Sequence, residues 1–146
     1  MTMARPGKDE YYLNIAHVVS ERSTCLRRHY GVVIVGNDEI IATGYNGNPR
    51  GMKNCCEIGI CSKEDINHNS SPDSYNACRS VHAEMNALMS ARRSEMIGAT
   101  LYISGYDVDE HIMLSNPTPC PICLRMIQNA GIARVVNRQG DVQCTF

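Results

Sequence analysis

Two short segments constrain this chain more than anything else in it: His82-Ala83-Glu84 and Pro119-Cys120-Pro121-Ile122-Cys123. Each opens a run that reads as a helix, Ser80 to Ser94 and Pro119 to Asn129, with Gly131 as a stop signal for the second. The strand-like Thr100 to Ser104 lies between them. Two helices that flank one strand can both dock on that strand's sheet, which sets their starts side by side. The rest of the pattern agrees. Asp9 to Arg22 is an amphipathic helix with Tyr12, Ile15, Ala16 and Val19 on one face. Val32 to Val35 and Ile40 to Tyr45 are strands joined by the turn residues Gly36 to Glu39, a hairpin. Ala133 to Asn137 is a fourth strand, and Val142 to Thr145 is a candidate fifth. A parallel crossover needs a dozen or more residues, so a fifth strand this close could pair only antiparallel with the fourth. The expected fold is α/β, an α/β/α sandwich around one mixed sheet of four to five strands, in a single domain over residues 1–146.

A chain of 146 residues with 43% hydrophobic and 20% charged residues can bury one real core. Its formal net charge of -1 gives no basic excess, so no polynucleotide partner is expected. No run has the length and apolarity of a membrane span, and Met1 to Lys8 lacks the apolar core of an export signal. The expected compartment is the cytoplasm. There the 8 cysteines argue for metal or free thiols over disulfides.

The chemistry follows from residue types and spacing. Cys120 and Cys123, three apart at a helix start, point both sulfurs to one face, where the helix dipole favours thiolates. Pro121 suits a first turn that needs no N–H partner. One imidazole and two thiolates make three ligands, and a catalytic zinc keeps its fourth position for water, whose pKa falls to roughly 7. Glu84, two residues past His82, can reach that water without being a ligand, the placement of a proton shuttle. Alone, each motif has a plainer reading. His82 could simply start a helix, and Cys120/Cys123 could be half of a structural zinc site. Their order, their helix starts and the strand between them decide for H-x-E followed by P-C-x-x-C, the signature of zinc deaminases.

Longer stretches resemble one family. Residues 78–88 (CRSVHAEMNAL) are similar to the first zinc motif of deoxycytidylate deaminases, and residues 118–132 (TPCPICLRMIQNAGI) to the second. Residues 44–51 (GYNGNPRG) resemble their glycine-rich nucleotide loop, and Ser23 to Cys25 with Gly31 to Val35 also match. The resemblance implies a cytidine-deaminase-like fold and zinc-dependent hydrolysis of dCMP to dUMP and ammonia. It implies a homo-oligomer, typically a hexamer, and dCTP and dTTP as effectors. Asn46 would touch the nucleotide, and Arg93, late on the first zinc helix, would gate substrate or effector. Cys25 and Cys55 match ligands of a second, structural zinc in some members, with Cys61, His68 and Cys78 as candidates to complete it. Such a staple would close the long irregular stretch from Asn46 to Asn76.

A buried base needs stacking and edge hydrogen bonds, for which Tyr102, Tyr106 and His111 are candidates. Arg50 and Lys53 near the glycine loop, and Arg27, Arg28 and Arg79 beside the motifs, are candidates for a phosphate. Gly105 to Asn116 is a long connection expected near the mouth of the site. The alternatives are the same chemistry on a free cytidine-type nucleoside or another nucleobase, and a non-catalytic nucleotide-binding zinc scaffold.

Overall fold

The computed structural model describes residues 4–63 and 77–144. Helix α1 (Lys8–Ser20) leads into the hairpin of β1 (Arg28–Gly36) and β2 (Glu39–Tyr45). A single helical turn, α2 (Cys55–Ile58), follows. Then come α3 (Ala83–Met89), the short α4 (Arg93–Met96), β3 (Thr100–Asp107), β4 (Ile112–Met113), α5 (Pro121–Asn129), β5 (Arg134–Asn137) and β6 (Gly140–Asp141).

The sheet runs β2-β1-β3-β5-β6, with β4 paired to β3. Only the β3–β5 pair is parallel; β1–β2, β1–β3, β3–β4 and β5–β6 are antiparallel. The expected mixed sheet is therefore present, with six strands among the described residues if the two-residue β4 and β6 are counted. The last strand pairs antiparallel with β5, as the short connection requires, but it lies at Gly140–Asp141 instead of beginning at Val142. Asn37 and Asp38, both at positive φ, make the β1–β2 turn so tight because their short polar side chains tolerate that conformation.

Strand parity builds two cores. Val33, Val35, Tyr102 and Val136 face α1, packing on Tyr12, Leu13 and Ala16. Val32, Ile34, Leu101, Ile103 and Val135 face the other way, onto Ala83, Ala87 and Leu88 of α3 and Ile127 of α5. One bare glycine on each face lets a helix settle. A Cβ on Gly31 would meet the Ala16 carbonyl oxygen at 2.0 Å, and one on Gly44 would meet the Ala83 oxygen and the Ala87 nitrogen at 2.4 Å. Gly44 thus belongs to β2 and seats α3.

The helix expected over Ser80 to Ser94 is two helices. His82 is extended (ψ 153°) and caps α3, which ends at Met89 with Ser90 as its C-cap, and Arg92 caps the start of α4. Arg93 therefore sits at the start of α4 and not late on the helix that follows His82.

Candidate active site

Both chemistry-bearing segments stand at helix starts on the same face of the sheet. His82 is the residue before α3 and Cys120 the residue before α5, where its sulfur accepts the Cys123 N–H at 3.4 Å. Parallel strands β3 and β5, with α5 connecting them, set the start of α5 beside that of α3. The start of α3 is pinned from β2 and beyond. Gly47 and Val81 exchange two backbone hydrogen bonds (3.2 and 2.8 Å), and Asn86 Nδ2 donates to the Tyr45 carbonyl at 2.8 Å.

The result is a ligand-shaped triplet. His82 Nδ1 lies 3.7 Å from Cys120 Sγ and 3.4 Å from Cys123 Sγ. All three donor atoms lie within 4.8 Å of one another, and among the described residues no other three such groups do. A tetrahedral ion with sulfur at about 2.3 Å and nitrogen at about 2.05 Å holds S and N about 3.6 Å apart, so the spacing fits zinc. A hydrogen bond from Cys123, reinforced by His82, holds Cys120 down at about 4, and that same bond together with burial pushes Cys123 up.

Glu84 is 5% exposed, a carboxyl buried beside the triplet. Burial raises its pKa above the ordinary carboxylate value, against the pull of a hydrogen bond with Cys123. It opens, with His82 and Cys120, onto a cavity of about 500 Å³ floored by Ile103. A three-donor metal site that opens onto a cavity beside a buried carboxyl is the arrangement of a hydrolytic metal enzyme.

Other expected residues fall in varied places. Asn46 lines the cavity and is 7% exposed, but its amide already cross-links β1: Oδ1 accepts from Tyr30 N at 2.8 Å and Nδ2 donates to Arg28 O at 2.9 Å. Tyr102, expected against the base, instead points to the opposite face, packs on Tyr12, and donates to Asp9 at 2.7 Å. Tyr106 shares that face, near His17. His111 is exposed in the β3–β4 turn. Arg93 does not line the cavity either; its Nε donates to the Asn129 carbonyl at 3.1 Å, at the end of α5. Gly105 to Asn116 forms the end of β3, β4 and their turn, and the cavity wall begins only at Thr118 and Pro119.

Of the second cysteine group, Cys25, Cys61 and Cys78 line this same cavity. Cys55 lies outside it, its sulfur 3.7 Å from Asn48 Oδ1. Burial raises the Cys55 thiol, and repulsion from Cys25, Cys78 and Cys61 adds to that. His68 lies outside the described residues.

One contributor escaped sequence reading. Asn137, 2% exposed at the end of β5, donates to Asn116 Oδ1 (2.8 Å) and the Pro117 carbonyl (2.9 Å), bracing the approach to Cys120. Nothing in the sequence separates it from an ordinary residue at a strand end; only its burial and partners do.

Comparison with known proteins agrees with this geometry. Residues 6–138 match the family model described as cytidine and deoxycytidylate deaminase zinc-binding region. The chain is 36% identical over 138 residues to the deoxycytidylate deaminase of Mycobacterium phage D29, covering 92% of this chain and 96% of that protein. It is 36% identical over 140 residues to the deoxycytidylate deaminase of Schizosaccharomyces pombe, covering 90% of this chain but 37% of that longer protein. The crystal structure of the dCMP deaminase from cyanophage S-TIM5, in complex with dCMP and dUMP, superposes with a TM-score of 0.63 at 28% identity, over 92% of this chain and 83% of that one. This chain belongs to the cytidine and deoxycytidylate deaminase family. The family is a zinc-binding one, and the His82, Cys120 and Cys123 donor set suits that ion.

Proposed function

We propose that this chain hydrolyses dCMP to dUMP and ammonia, with His82, Cys120 and Cys123 holding a catalytic zinc and Glu84 carrying the protons. The observation that carries this is the buried Glu84 carboxyl opening onto the same cavity as the three-donor cluster. A zinc ion held by these donors would supply Lewis acidity to a water in the cavity. Glu84 takes a proton from that water and places it on ring N3. The oxygen adds at C4. Glu84 then moves the second proton to the exocyclic nitrogen, which leaves as ammonia, and C4 becomes a carbonyl. Burial excludes bulk water, so each proton stays with the carboxyl between steps.

The choice of dCMP is supported by the phage D29 and S. pombe relatives and by the cyanophage enzyme solved with dCMP and dUMP. Steady-state assays on dCMP, CMP, deoxycytidine and cytidine test it. The expected result is a higher kcat/KM for dCMP than for deoxycytidine. Equal values would return the chain to the nucleoside alternative, and no turnover of any of them to the scaffold alternative.

The finer reading is a single deaminase domain over residues 1–146 that works in the cytoplasm as a homohexamer and responds to dCTP and dTTP. It rests on the motif resemblance, with the exposed apolar side chains of Met89 on α3 and Ile122 and Met126 on α5 as support for self-association. A second, structural zinc on Cys25, Cys55, Cys61 and Cys78 rests on the motif resemblance; no three of these sulfurs form a group within 4.8 Å of one another here, so the ion would have to draw them together.

A further inference from the structure

We infer that Tyr30 selects the sugar of the nucleotide: its ring is the wall on which C2′ packs, so a 2′-deoxyribose is accepted and a ribose is rejected. This rests on the reading of dCMP as substrate and names a residue that would separate it from CMP. Tyr30 lines the catalytic cavity together with His82, Glu84 and Cys120. It lies outside the three-donor cluster, and the proton steps do not use it.

The sheet fixes where the ring stands. Val32 pairs with Ile103, which floors the cavity, and Tyr30 pairs with Gly105. Tyr30 and Val32 share a face of β1, and two residues advance about 6.6 Å along a strand. Tyr30 therefore stands one step out from the floor, where a base with its C4 by Glu84 would give way to its sugar. The ring has little freedom there. A Cβ on Gly105 would lie 3.0 Å from Tyr30 Cε1, 3.1 Å from Tyr30 Cδ1 and 2.8 Å from Leu114 Cδ1, so the bare glycine is what lets the ring lie against β3. Tyr30 N donates to Asn46 Oδ1 at 2.8 Å, and the Arg28 guanidinium hydrogen-bonds the Tyr30 hydroxyl. The Asn46 amide, beside the ring in the cavity wall, spends its other end on the Arg28 carbonyl at 2.9 Å. What faces the sugar is a flat apolar surface. A C2′ methylene gains by burial against it. A 2′-hydroxyl laid on it loses its water and meets no acceptor. An apolar wall of this kind rejects an added hydroxyl by about 100-fold.

The test compares kcat/KM for dCMP and CMP in zinc-loaded wild type, Tyr30→Phe, Tyr30→Leu and Tyr30→Ser, with melting and zinc content checked for each. Wild type is expected to prefer dCMP by about 10- to 100-fold. Tyr30→Phe keeps the ring face and should keep that ratio. Tyr30→Ser opens the wall and supplies a hydroxyl, so the ratio should fall about 10-fold or more, chiefly through a lower KM for CMP. Tyr30→Leu still fills the space over Gly105 without the flat ring; its ratio should fall between the two, and it decides the matter if Tyr30→Ser does not fold. A ratio that stays at the wild-type value in the serine and leucine variants overturns the inference while leaving dCMP as substrate. Equal losses on both nucleotides are that result, and they are the mark of a ring that stacks on the base. A ratio that falls as far in Tyr30→Phe as in Tyr30→Ser also overturns it, because the hydroxyl and not the ring face would then be selecting. Wild type equally active on dCMP and CMP overturns this inference alone, and wild type active on neither overturns the deaminase reading with it.

Discussion

The side-chain amide of Asn137 donates to the carbonyl of Pro117 at 2.9 Å, tying the end of β5 to the chain three residues before Cys120. The same amide reaches Asn116 Oδ1, and its oxygen accepts the Gln139 N–H at 2.8 Å. One buried side chain thus joins the β5–β6 turn to the segment that delivers a metal ligand. Asn137→Ala removes these bonds and leaves the Pro117 carbonyl buried without that donor. It should lower stability by about 1–3 kcal/mol. It should also speed transfer of the catalytic zinc to a chelator, since the support of a ligand tunes metal affinity. Thermal melting and zinc release to a chromogenic chelator measure both, and an unchanged release rate would remove Asn137 from the site's support.

Gly44→Ala tests how strictly the seat of α3 sets the position of Glu84. The new methyl would lie 2.4 Å from backbone atoms of Ala83 and Ala87, so α3 must retreat. A shift of about 1 Å at a catalytic group can cost about 100-fold in rate, and overpacking of this kind costs roughly 1–3 kcal/mol in stability. The expected outcome is a fall in kcat larger than any change in KM. Near-normal kcat would show that the helix can tilt without moving the carboxyl.

Glu84→Ala should keep the fold and the catalytic zinc and stop turnover. The carboxyl stands outside the three-donor set, so metal loading does not depend on it. A proton-transfer group contributes about 100- to 10,000-fold, and one that serves every proton step should reach the upper end. Metal analysis beside a rate assay decides the matter; activity within a few fold of wild type would rule out the shuttle.

Purified protein should carry two zinc ions of unequal lability. Cys120→Ser should remove one, with little loss of structure. Cys55→Ser should remove the other and lower the melting temperature, because a closed structural site contributes folding energy directly. A ratio of one zinc per chain in fully loaded wild type would return Cys25, Cys55, Cys61 and Cys78 to packing roles.

Acid should release the catalytic ion. Its ligands bind as thiolates and neutral imidazole, so protons compete with the metal and affinity falls as pH falls. Zinc release followed from neutral to mildly acid pH should track the loss of activity. Activity lost while zinc is fully retained would point to a different titrating group.

The sequence by itself determined the site's chemistry. His82, Glu84, Cys120 and Cys123 are legible because their meaning is local: helix starts, spacings of two and three, and one connecting strand. The hairpin and the antiparallel last strand were equally local, set by turn residues and by a connection too short for a crossover. The tertiary structure decided everything that depends on which side of a pleat a residue takes. Tyr102 and Ile103 are neighbours in sequence, yet the first faces α1 and the second floors the cavity. Gly44 opens the stretch that resembles a nucleotide loop, and only the fold shows that it also seats a helix beginning 39 residues further on. Arg27, Arg28 and Lys63 share a cavity, while Arg50, Lys53 and Arg79 stay in solvent. Charge is written in the sequence, but its convergence on one cavity is a property of strand register and loop path, which long-range packing sets.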